Sequence, residues 1–265
     1  MLKTWGFFYN MKLGFIGTGK IASSVIIGIY NSKIKYKQII ISPRNKKVAL
    51  GLKKKFKKII ISKTNQEIVD KSDWVFLSIT PTVGEKIIKD LKFRSNQKII
   101  SFISTITLSQ LRKMIKKKID IVRAIPLPPI SLKEGPIPIC PPNKKVKAFF
   151  DKLGSTVEIK NEKLSINFWS TSGMMASYYK MLDTISDWLN KRGVKKLDAQ
   201  KYVASLFLAL SKDAAINSNK DLKILVKDSQ TPKGLNEQGL KEMIKKDVYK
   251  SATSTLNSIY KRLDK

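Results

Sequence analysis

Histidine is absent from this 265-residue sequence, and cysteine occurs once, as Cys140. Without histidine, the chain lacks the side chain that most often serves as a general acid or base and as a metal ligand. A single cysteine excludes an intrachain disulfide, which is typical of proteins in a reducing compartment. We therefore expect a cytoplasmic protein without a bound metal, whose mechanism works without histidine.

Long hydrophobic runs are also missing. No stretch approaches the roughly 20 apolar residues that a helix needs to cross a bilayer, so no membrane partner is expected. Residues 1–10 are rich in aromatic side chains but lack the apolar core and small-residue cleavage site of a signal peptide. Because the first clear strand begins at Met11, we predict that residues 1–10 form a poorly ordered extension. Hydrophobic residues still make up 42% of the chain, which is enough for a packed core.

Acidic residues are scarce. The chain has 20 Asp and Glu against 52 Lys and Arg, a formal net charge of +32. Only six of the basic residues are arginine, which forms the forked contacts typical of base and phosphate readers, and the lysines are spread along the whole chain. This pattern favours a solvated basic surface over a dedicated nucleic-acid site, so a nucleic-acid partner is not expected. Such a surface attracts small anions, including a dinucleotide phosphate.

Short apolar runs alternate with amphipathic or charged segments up to about residue 162. This alternation predicts an α/β Rossmann domain over residues 11–162, with a mostly parallel sheet buried on both faces. The stretch from Pro126 to Pro142 is predicted to be a loop, because proline interrupts helix interiors and central strands. The predicted strands are Lys12–Ile16, Gln38–Ser42, Lys58–Ile61, Trp74–Ile79, Lys98–Phe102, Ile119–Ala124 and Thr156–Ile159.

Helical periodicity replaces the strand-like runs after residue 162. It predicts an all-α domain over residues 163–265, with Gly193 as a helix stop and Asp198 as the cap of the next helix. The predicted helices are Thr171–Arg192, Asp198–Asn217, Asn219–Val226 and Leu240–Leu263.

A glycine-rich turn follows the first predicted strand and opens an apolar helix. It has the spacing Gly17-x-Gly19-x-x-Ala22. In this context the first glycine permits the tight turn, the second lets a pyrophosphate approach the backbone, and Ala22 lets the helix pack closely on the strand. The helix N-terminus supplies free N–H groups for the phosphates. The predicted cofactor contacts in this turn are Gly17, Thr18, Gly19, Lys20 and Ile21.

The end of the second predicted strand indicates which dinucleotide binds. An NAD enzyme typically carries Asp or Glu there to bind the ribose 2′-hydroxyl. This chain has Ser42, Arg44 and Asn45 instead. A cation and neutral donors suit a 2′-phosphate, so we predict that these three residues bind NADP(H).

Three further segments accompany the glycine-rich turn. They are Asp73-Trp-Val-Phe-Leu-Ser-Ile-Thr-Pro81, Val122-Arg-Ala-Ile-Pro126 followed by Glu134-Gly135, and a helix pair from Asp183 to Ala199. With the turn included, most of residues 11–265 resembles the pyrroline-5-carboxylate reductase family. The resemblance implies NADPH-dependent reduction of 1-pyrroline-5-carboxylate to proline, a step of proline biosynthesis.

The same resemblance implies an architecture and a set of site residues. A Rossmann domain is followed by an all-α dimerisation domain, like the C-terminal domain of 6-phosphogluconate dehydrogenase, which interlocks with a second subunit. A homodimer or a higher oligomer of dimers results, with the active site between one subunit's cofactor and the helical domains. The implied cofactor residues after the fourth strand are Ile79, Thr80 and Pro81, and the implied substrate-carboxylate residues are Thr231, Lys233, Gly234 and Asn236.

The sequence departs from the family pattern mainly in its substrate half. Thr80 replaces a lysine, and Leu127-Pro-Pro129 replaces an N-T-P segment. Thr231-Pro-Lys-Gly-Leu-Asn236 stands where the family has S-P-G-G-T-T, so that Lys233 occupies a glycine position. The cofactor half therefore follows the family pattern more closely than the substrate half.

Reduction of an imine is compatible with a chain that lacks histidine. An imine nitrogen is readily protonated, and the iminium carbon then accepts a hydride without a strong general acid. Two alternatives remain open at this point. One is an NADP-dependent dehydrogenase of another small carboxylate, resembling the β-hydroxyacid dehydrogenases, with Lys180 as the catalytic acid. The other is a nucleotide-binding regulator without catalytic activity.

Overall fold

The computed structural model describes residues 10–264, so the predicted extension at residues 1–10 lies, except for Asn10, outside the described residues. The chain divides into two compact units. The first unit ends at Trp169 and the second begins at Ser170, seven residues beyond the boundary expected from the sequence.

The first unit is built on an eight-stranded sheet with the order β3-β2-β1-β4-β5-β6-β7-β8. All neighbouring strands run parallel except β6 and β7, so the predicted mostly parallel Rossmann architecture is confirmed. The strand order changes direction at β1, which has β2 on one side and β4 on the other. The strands are β1 Lys12–Ile16, β2 Gln38–Ile41, β3 Ile59–Ile61, β4 Trp74–Leu77, β5 Lys98–Ser101, β6 Asp120–Ala124, β7 Pro136–Cys140 and β8 Ser155–Glu158.

Six helices connect strands of this unit, and a seventh, α7 Ser165–Ser172, follows the last strand. The six are α1 Lys20–Asn31, α2 Lys46–Lys55, α3 Asn65–Lys71, α4 Pro81–Ile87, α5 Leu108–Ile115 and α6 Lys144–Phe150. Short 3₁₀ turns occur at Ile88–Asp90, Pro128–Leu132 and Glu162–Leu164.

The core of this unit lies on both faces of the sheet. Phe15 and Phe76 stack in one cluster, with ring centroids 4.4 Å apart, while their neighbours Ile16 and Leu77 belong to the cluster on the other face. Alternate side chains of a strand point to opposite faces, so a strand covered on both sides must be apolar throughout. This arrangement explains the continuous apolar runs of β1 and β4.

The prediction of a loop from Pro126 to Pro142 is wrong, because β7 runs through it from Pro136 to Cys140. In β7 the carbonyls of Gly135 and Ile139 bond to β8, whereas the Pro138 carbonyl accepts from Ile125 on the β6 side. The proline nitrogens therefore face β6, which pairs with β7 only at Ile139 and Cys140. Pro138 has no N–H to return a bond to Ile125, so the prolines shorten the pairing with β6 but leave the pairing of β7 with β8 intact.

The second unit is helical, as predicted. Among the described residues it comprises α8 Met175–Asn190, α9 Lys196–Ile216, α10 Leu222–Asp228, α11 Leu235–Lys245 and α12 Val248–Leu263. The predicted helix Leu240–Leu263 is in fact two helices, because Asp247 adopts a left-handed conformation with φ of 53°. Asp198 does not cap α9, since the helix begins at Lys196 and Asp198 lies in its first turn. Within residues 10–264, no helix is long and apolar enough to cross a membrane.

Candidate cofactor and substrate sites

The glycine-rich turn lies at the point where the strand order changes direction. Gly17 has φ of +95°, and a Cβ at this position would lie 2.2 Å from the Ser78 carbonyl oxygen at the end of β4. Gly19 caps α1 without a side-chain hydrogen bond, and a Cβ added to it would meet open space. The first turn of α1 contains no acidic residue. Its N–H groups are therefore open to an anion, which fits the pyrophosphate of a dinucleotide.

The end of β2 lies beside this turn. The Thr18 hydroxyl donates to the Ser42 carbonyl over 3.3 Å, and both residues are buried. The Thr18 side chain thus ties the turn to the backbone at the end of β2. Arg44, in contrast, is exposed and has no ion-pair partner within residues 10–264. The Asn45 side-chain oxygen accepts from the Val48 N–H and caps α2, which leaves its NH₂ group for a ligand.

Acidic residues are scarce in this region: no Asp or Glu precedes Glu67 in the sequence, and the Glu67 carboxylate, beside the end of β3, accepts from Ser62 and Lys63 and pairs with Lys71. A carboxylate at the end of β2 would bind a ribose 2′-hydroxyl and repel a 2′-phosphate. The free cation of Arg44, without a nearby carboxylate on its own segment, therefore fits the 2′-phosphate of NADP.

The third predicted cofactor segment follows β4. Thr80 caps α4 without a side-chain hydrogen bond, and Pro81 occupies the first position of that helix. The side chain of Ile79 lies close to Gly17, because a Cβ on that glycine would be 2.7 Å from Ile79 Cγ2. The fold thus brings the segments around Gly17–Ile21, Ser42–Asn45 and Ile79–Pro81 to one edge of the sheet. Their roles toward the cofactor remain predictions.

Two charged residues at the same edge were missed by the sequence reasoning. Arg123, in the Val122–Pro126 motif, has a side chain that is 2% exposed and pairs with Glu162. Burial lowers the pKa of Arg123, and the Glu162 carboxylate partly offsets this effect. The available signal was a lone arginine within the apolar run from Ile121 to Ala124 of β6. Cys140 is buried nearby in β7, and burial raises the pKa of its thiol, which disfavours the thiolate.

Lys180 lies in the second unit, on α8. Its side chain is 73% exposed and pairs with Asp183 over 2.6 Å. The hydrogen bond from Lys180 to Asp183 raises the pKa of the lysine, so its ammonium group is held more firmly in the charged form. This environment is that of a solvated surface ion pair.

The predicted carboxylate loop also lies in the second unit, between α10 and α11. Gly234 caps α11 without a side-chain hydrogen bond, which leaves the first N–H groups of this helix uncapped by side chains. Lys233 has a left-handed φ of 62°, and its backbone N–H donates to the Glu237 carboxylate over 2.5 Å. The Asn236 side chain donates to the Ser229 carbonyl, and Thr231 accepts from the Gly234 N–H.

Glu237 is a component of this loop that the sequence reasoning did not include. It accepts from Lys233 and pairs with Lys241 over 2.6 Å, and these contacts, led by that of Lys241, lower the pKa of its carboxyl group. Its position three residues after the cap is the spacing of a capping box, which was the available signal. Elsewhere, no cluster of three or more potential metal-ligating side chains occurs among residues 10–264.

Two segments of the chain match known family models. Residues 12–106 match the family described as NADP oxidoreductase, coenzyme F420-dependent. Residues 164–265 match the family described as pyrroline-5-carboxylate reductase dimerisation.

Individual relatives match over nearly the full chain. Pyrroline-5-carboxylate reductase 3 of Xenopus laevis is 24% identical over 247 residues, which cover 89% of each chain. The crystal structure of pyrroline carboxylate reductase from Plasmodium falciparum, with NADP bound, superimposes with a TM-score of 0.82 at 21% identity and covers 97% of this chain and 98% of the other. The crystal structure of 1-pyrroline-5-carboxylate reductase from Streptococcus pyogenes superimposes with a TM-score of 0.81 at 24% identity. The match covers 96% of this chain and 98% of the other. At these identities the structural matches establish the fold.

Proposed function

Since the chain belongs to the pyrroline-5-carboxylate reductase family and is an NADP-dependent oxidoreductase, we propose that it reduces a cyclic imino acid, 1-pyrroline-5-carboxylate, to proline. The observation that carries the proposal is the uncapped, acid-free N-terminus of α1 beside the change in strand order. The cofactor, when bound there, supplies a hydride for the iminium carbon.

The residues of the first unit bind and orient. With the cofactor bound, the backbone N–H groups of Lys20 and Ile21 would hold the pyrophosphate, and Arg44 would hold the 2′-phosphate. Gly17 keeps the turn close to β4, so that Ile79–Pro81 borders the path of the dinucleotide. These side chains hold no proton for the reaction, which is consistent with an imine substrate that is already protonated at nitrogen.

The residues of the second unit bind the substrate carboxylate. The first N–H groups of α11, from Leu235 and Asn236, point out of an 11-residue helix that Gly234 leaves uncapped. A carboxylate is stabilised there by hydrogen bonds and by the helix dipole, at about 0.3–1 kcal/mol for an exposed site. Thr231 and Lys233 shape the turn through their backbones, since the Thr231 carbonyl accepts from Gly234 and the Lys233 N–H donates to Glu237.

We also propose that two copies associate through the helical unit. This unit carries the family's dimerisation domain. Large apolar side chains are exposed along α9, with Leu208 at 68% and Tyr202 at 63%. Obligate interfaces of this kind commonly bury more than about 2,000 Å².

The test is NADPH oxidation by the full chain with a panel of cyclic imino acids and of keto acids, together with NADP⁺ reduction in the presence of hydroxy acids. We expect turnover of pyrroline-5-carboxylate and little or none of the hydroxy and keto acids, which need a proton donor or acceptor. Lys180→Met should stay within about twofold of the parent enzyme, because its ammonium group is solvated and paired. A hundredfold loss in Lys180→Met, with turnover of a hydroxy acid, would instead establish the dehydrogenase alternative. Tight NADPH binding without any turnover would establish the regulator.

A further inference from the structure

Arg123 is a charged side chain in a place where charge is costly. It lies one residue before the end of β6, whose other members apart from Asp120 are buried and apolar. Burying a guanidinium group without compensation costs several kcal/mol, so its contacts determine whether it is tolerated. Three contacts surround it: the Glu162 carboxylate, the Ser104 carbonyl oxygen and the ring of Trp169, whose centroid lies 4.3 Å from the guanidinium carbon.

Two of these contacts hold one loop at both of its ends. The loop, residues 102–107, joins β5 to α5. One Arg123 nitrogen, Nη2, donates to the carbonyl of Ser104 near the start of the loop. The other, Nη1, donates to Glu162 Oε1, and the same oxygen accepts from the N–H of Leu108 over 2.8 Å, where the loop enters α5. The guanidinium and the carboxylate thus form a clamp across the loop.

The loop lies on the cofactor side of the sheet. Since β1, β4 and β5 are parallel, the ends of these strands share an edge, and the loop follows β5 there. Arg44 at the end of β2 marks the adenosine side of the dinucleotide. The rest of a dinucleotide on this strand order extends away from β2, over β4 and β5. The 102–107 loop therefore borders the nicotinamide half, with Thr105 exposed between the buried Ile103 and Ile106.

We propose that Arg123 and Glu162 are positioning residues, which hold the 102–107 loop in the conformation that receives the nicotinamide half of the cofactor. The proposal rests on the proposed function for its kinetic consequences. Hydride transfer needs the reacting atoms about 3–3.5 Å apart, and a displacement of about 1 Å can cost a hundredfold in rate. Neither residue needs to touch the cofactor for this effect.

Arg94 provides a matched control. It too donates to backbone carbonyls, those of Val69 and Ser72, but it lies before β5, at the opposite edge of the sheet. Arg123→Lys and Arg94→Lys both retain the charge and lose the planar fork that serves two acceptors at once. Arg94 is less buried than Arg123, so the comparison uses the ratio of the two ligand affinities rather than stability: a general loss of packing should leave this ratio unchanged, whereas loss of the clamp should change it in the first variant alone.

The experiment compares two ligands on the full-length chain by calorimetry: NADP⁺, and 2′,5′-ADP, which lacks the nicotinamide half. For Arg123→Lys we expect unchanged affinity for 2′,5′-ADP, about tenfold weaker binding of NADP⁺, and a fall in kcat of tenfold or more. Arg94→Lys should keep the parent ratio of the two affinities. Glu162→Gln is the second variant; it retains an acceptor for the Leu108 N–H, and it should shift the ratio in the same direction by about threefold.

The proposal would be overturned if both Arg123→Lys and Glu162→Gln kept the parent ratio of NADP⁺ to 2′,5′-ADP affinity. This includes the case in which both ligands lose affinity by the same factor. If the parent enzyme turns over no imino acid, the proposed function fails, while the affinity ratio still decides whether the clamp acts on the nicotinamide half.

Discussion

The two units of the chain differ in how completely they bury their own apolar side chains. In the first unit both faces of the sheet are covered, and large side chains such as Phe15, Phe76 and Phe149 are inaccessible to solvent. In the described part of the second unit, only Ala199 and Val203 are fully buried hydrophobic residues, while long stretches of α9 are apolar and exposed. The first unit is a complete core within one chain. The second unit leaves most of its large apolar side chains exposed in a single copy, as the proposed association of two copies requires.

This difference follows from the shapes of the elements. A sheet covered by helices on both faces presents most of its apolar area inward. Helices with apolar side chains around much of their circumference need neighbours on more than one side. The contrast predicts that substitutions of equally exposed apolar residues have unequal consequences in the two units.

The largest effect is expected for Leu208→Glu, compared with Leu50→Glu. Leu208 is 68% exposed on α9 and Leu50 is 60% exposed on α2 of the first unit. A charge buried in a two-fold interface is introduced twice and costs several kcal/mol, so Leu208→Glu should dissociate the dimer and abolish activity. Leu50→Glu should leave both unchanged. Sedimentation velocity at micromolar concentration provides the measurement, and an active monomer of the parent chain would refute the contrast.

Gly19→Ala should weaken NADPH binding by about tenfold or more, because the added methyl group occupies the space through which the pyrophosphate approaches. The fold itself should tolerate the change, since this Cβ meets open space and the φ of Gly19 is −79°. Gly51→Ala, also in open space but on α2, is the matched control. It should leave binding unchanged and stabilise the helix by about 0.5–1 kcal/mol. Equal affinities of the two variants for NADPH would show that the pyrophosphate does not bind at this turn.

Much of the first unit could be predicted from sequence because its local signals agree. The apolar runs, the glycine spacing and the missing carboxylate after β2 all indicate a Rossmann domain that binds NADP. Strand β7 could not be predicted, since the tolerance of Pro136 and Pro138 depends on which neighbour their nitrogens face. The register of the sheet decides this, and the spacing of prolines in a sequence does not reveal the register.

The candidate site was predictable to a similar extent. The sequence predicts three cofactor segments because each carries a short motif, and the fold places all three at one edge of the sheet; their contacts with the cofactor stay predictions. The clamp of Arg123 and Glu162 was not predicted, because its partners are 39 residues apart in sequence and meet only in the folded unit. The hydrogen bond from the Lys233 N–H to Glu237 was also not predicted. This segment was interpreted only by comparison with the family pattern, and that pattern ends at Asn236.

Arg44→Ala should lower the preference for NADPH over NADH by about tenfold, the value of one charge-assisted hydrogen bond of about 1.5 kcal/mol. Removal of the same charge from the second unit, in Arg262→Ala, is the control and should leave the preference unaltered. The kcat/KM values for both cofactors provide the measurement. A preference that is insensitive to Arg44 would mean that this arginine does not contact the 2′-phosphate.

The smallest effect is expected for Lys233→Gly. Glycine adopts the left-handed φ of 62° at this position without the steric cost that a lysine incurs, about 1 kcal/mol, so thermal stability should rise slightly. The lysine side chain is exposed, so kcat/KM for pyrroline-5-carboxylate should change less than twofold or improve. A tenfold loss of kcat/KM would instead identify the Lys233 ammonium group as a substrate ligand, worth about 1.4 kcal/mol.

The most direct test of the proposed reaction is the fate of a labelled hydride. The full chain is incubated with pyrroline-5-carboxylate and NADPH deuterated at both C4 positions, and the product is analysed by mass spectrometry and NMR. The proposal predicts proline with one deuterium atom on carbon 5, formed in equal amount to the NADP⁺ released. Proline without deuterium, or no proline from a preparation that binds NADPH, would contradict it.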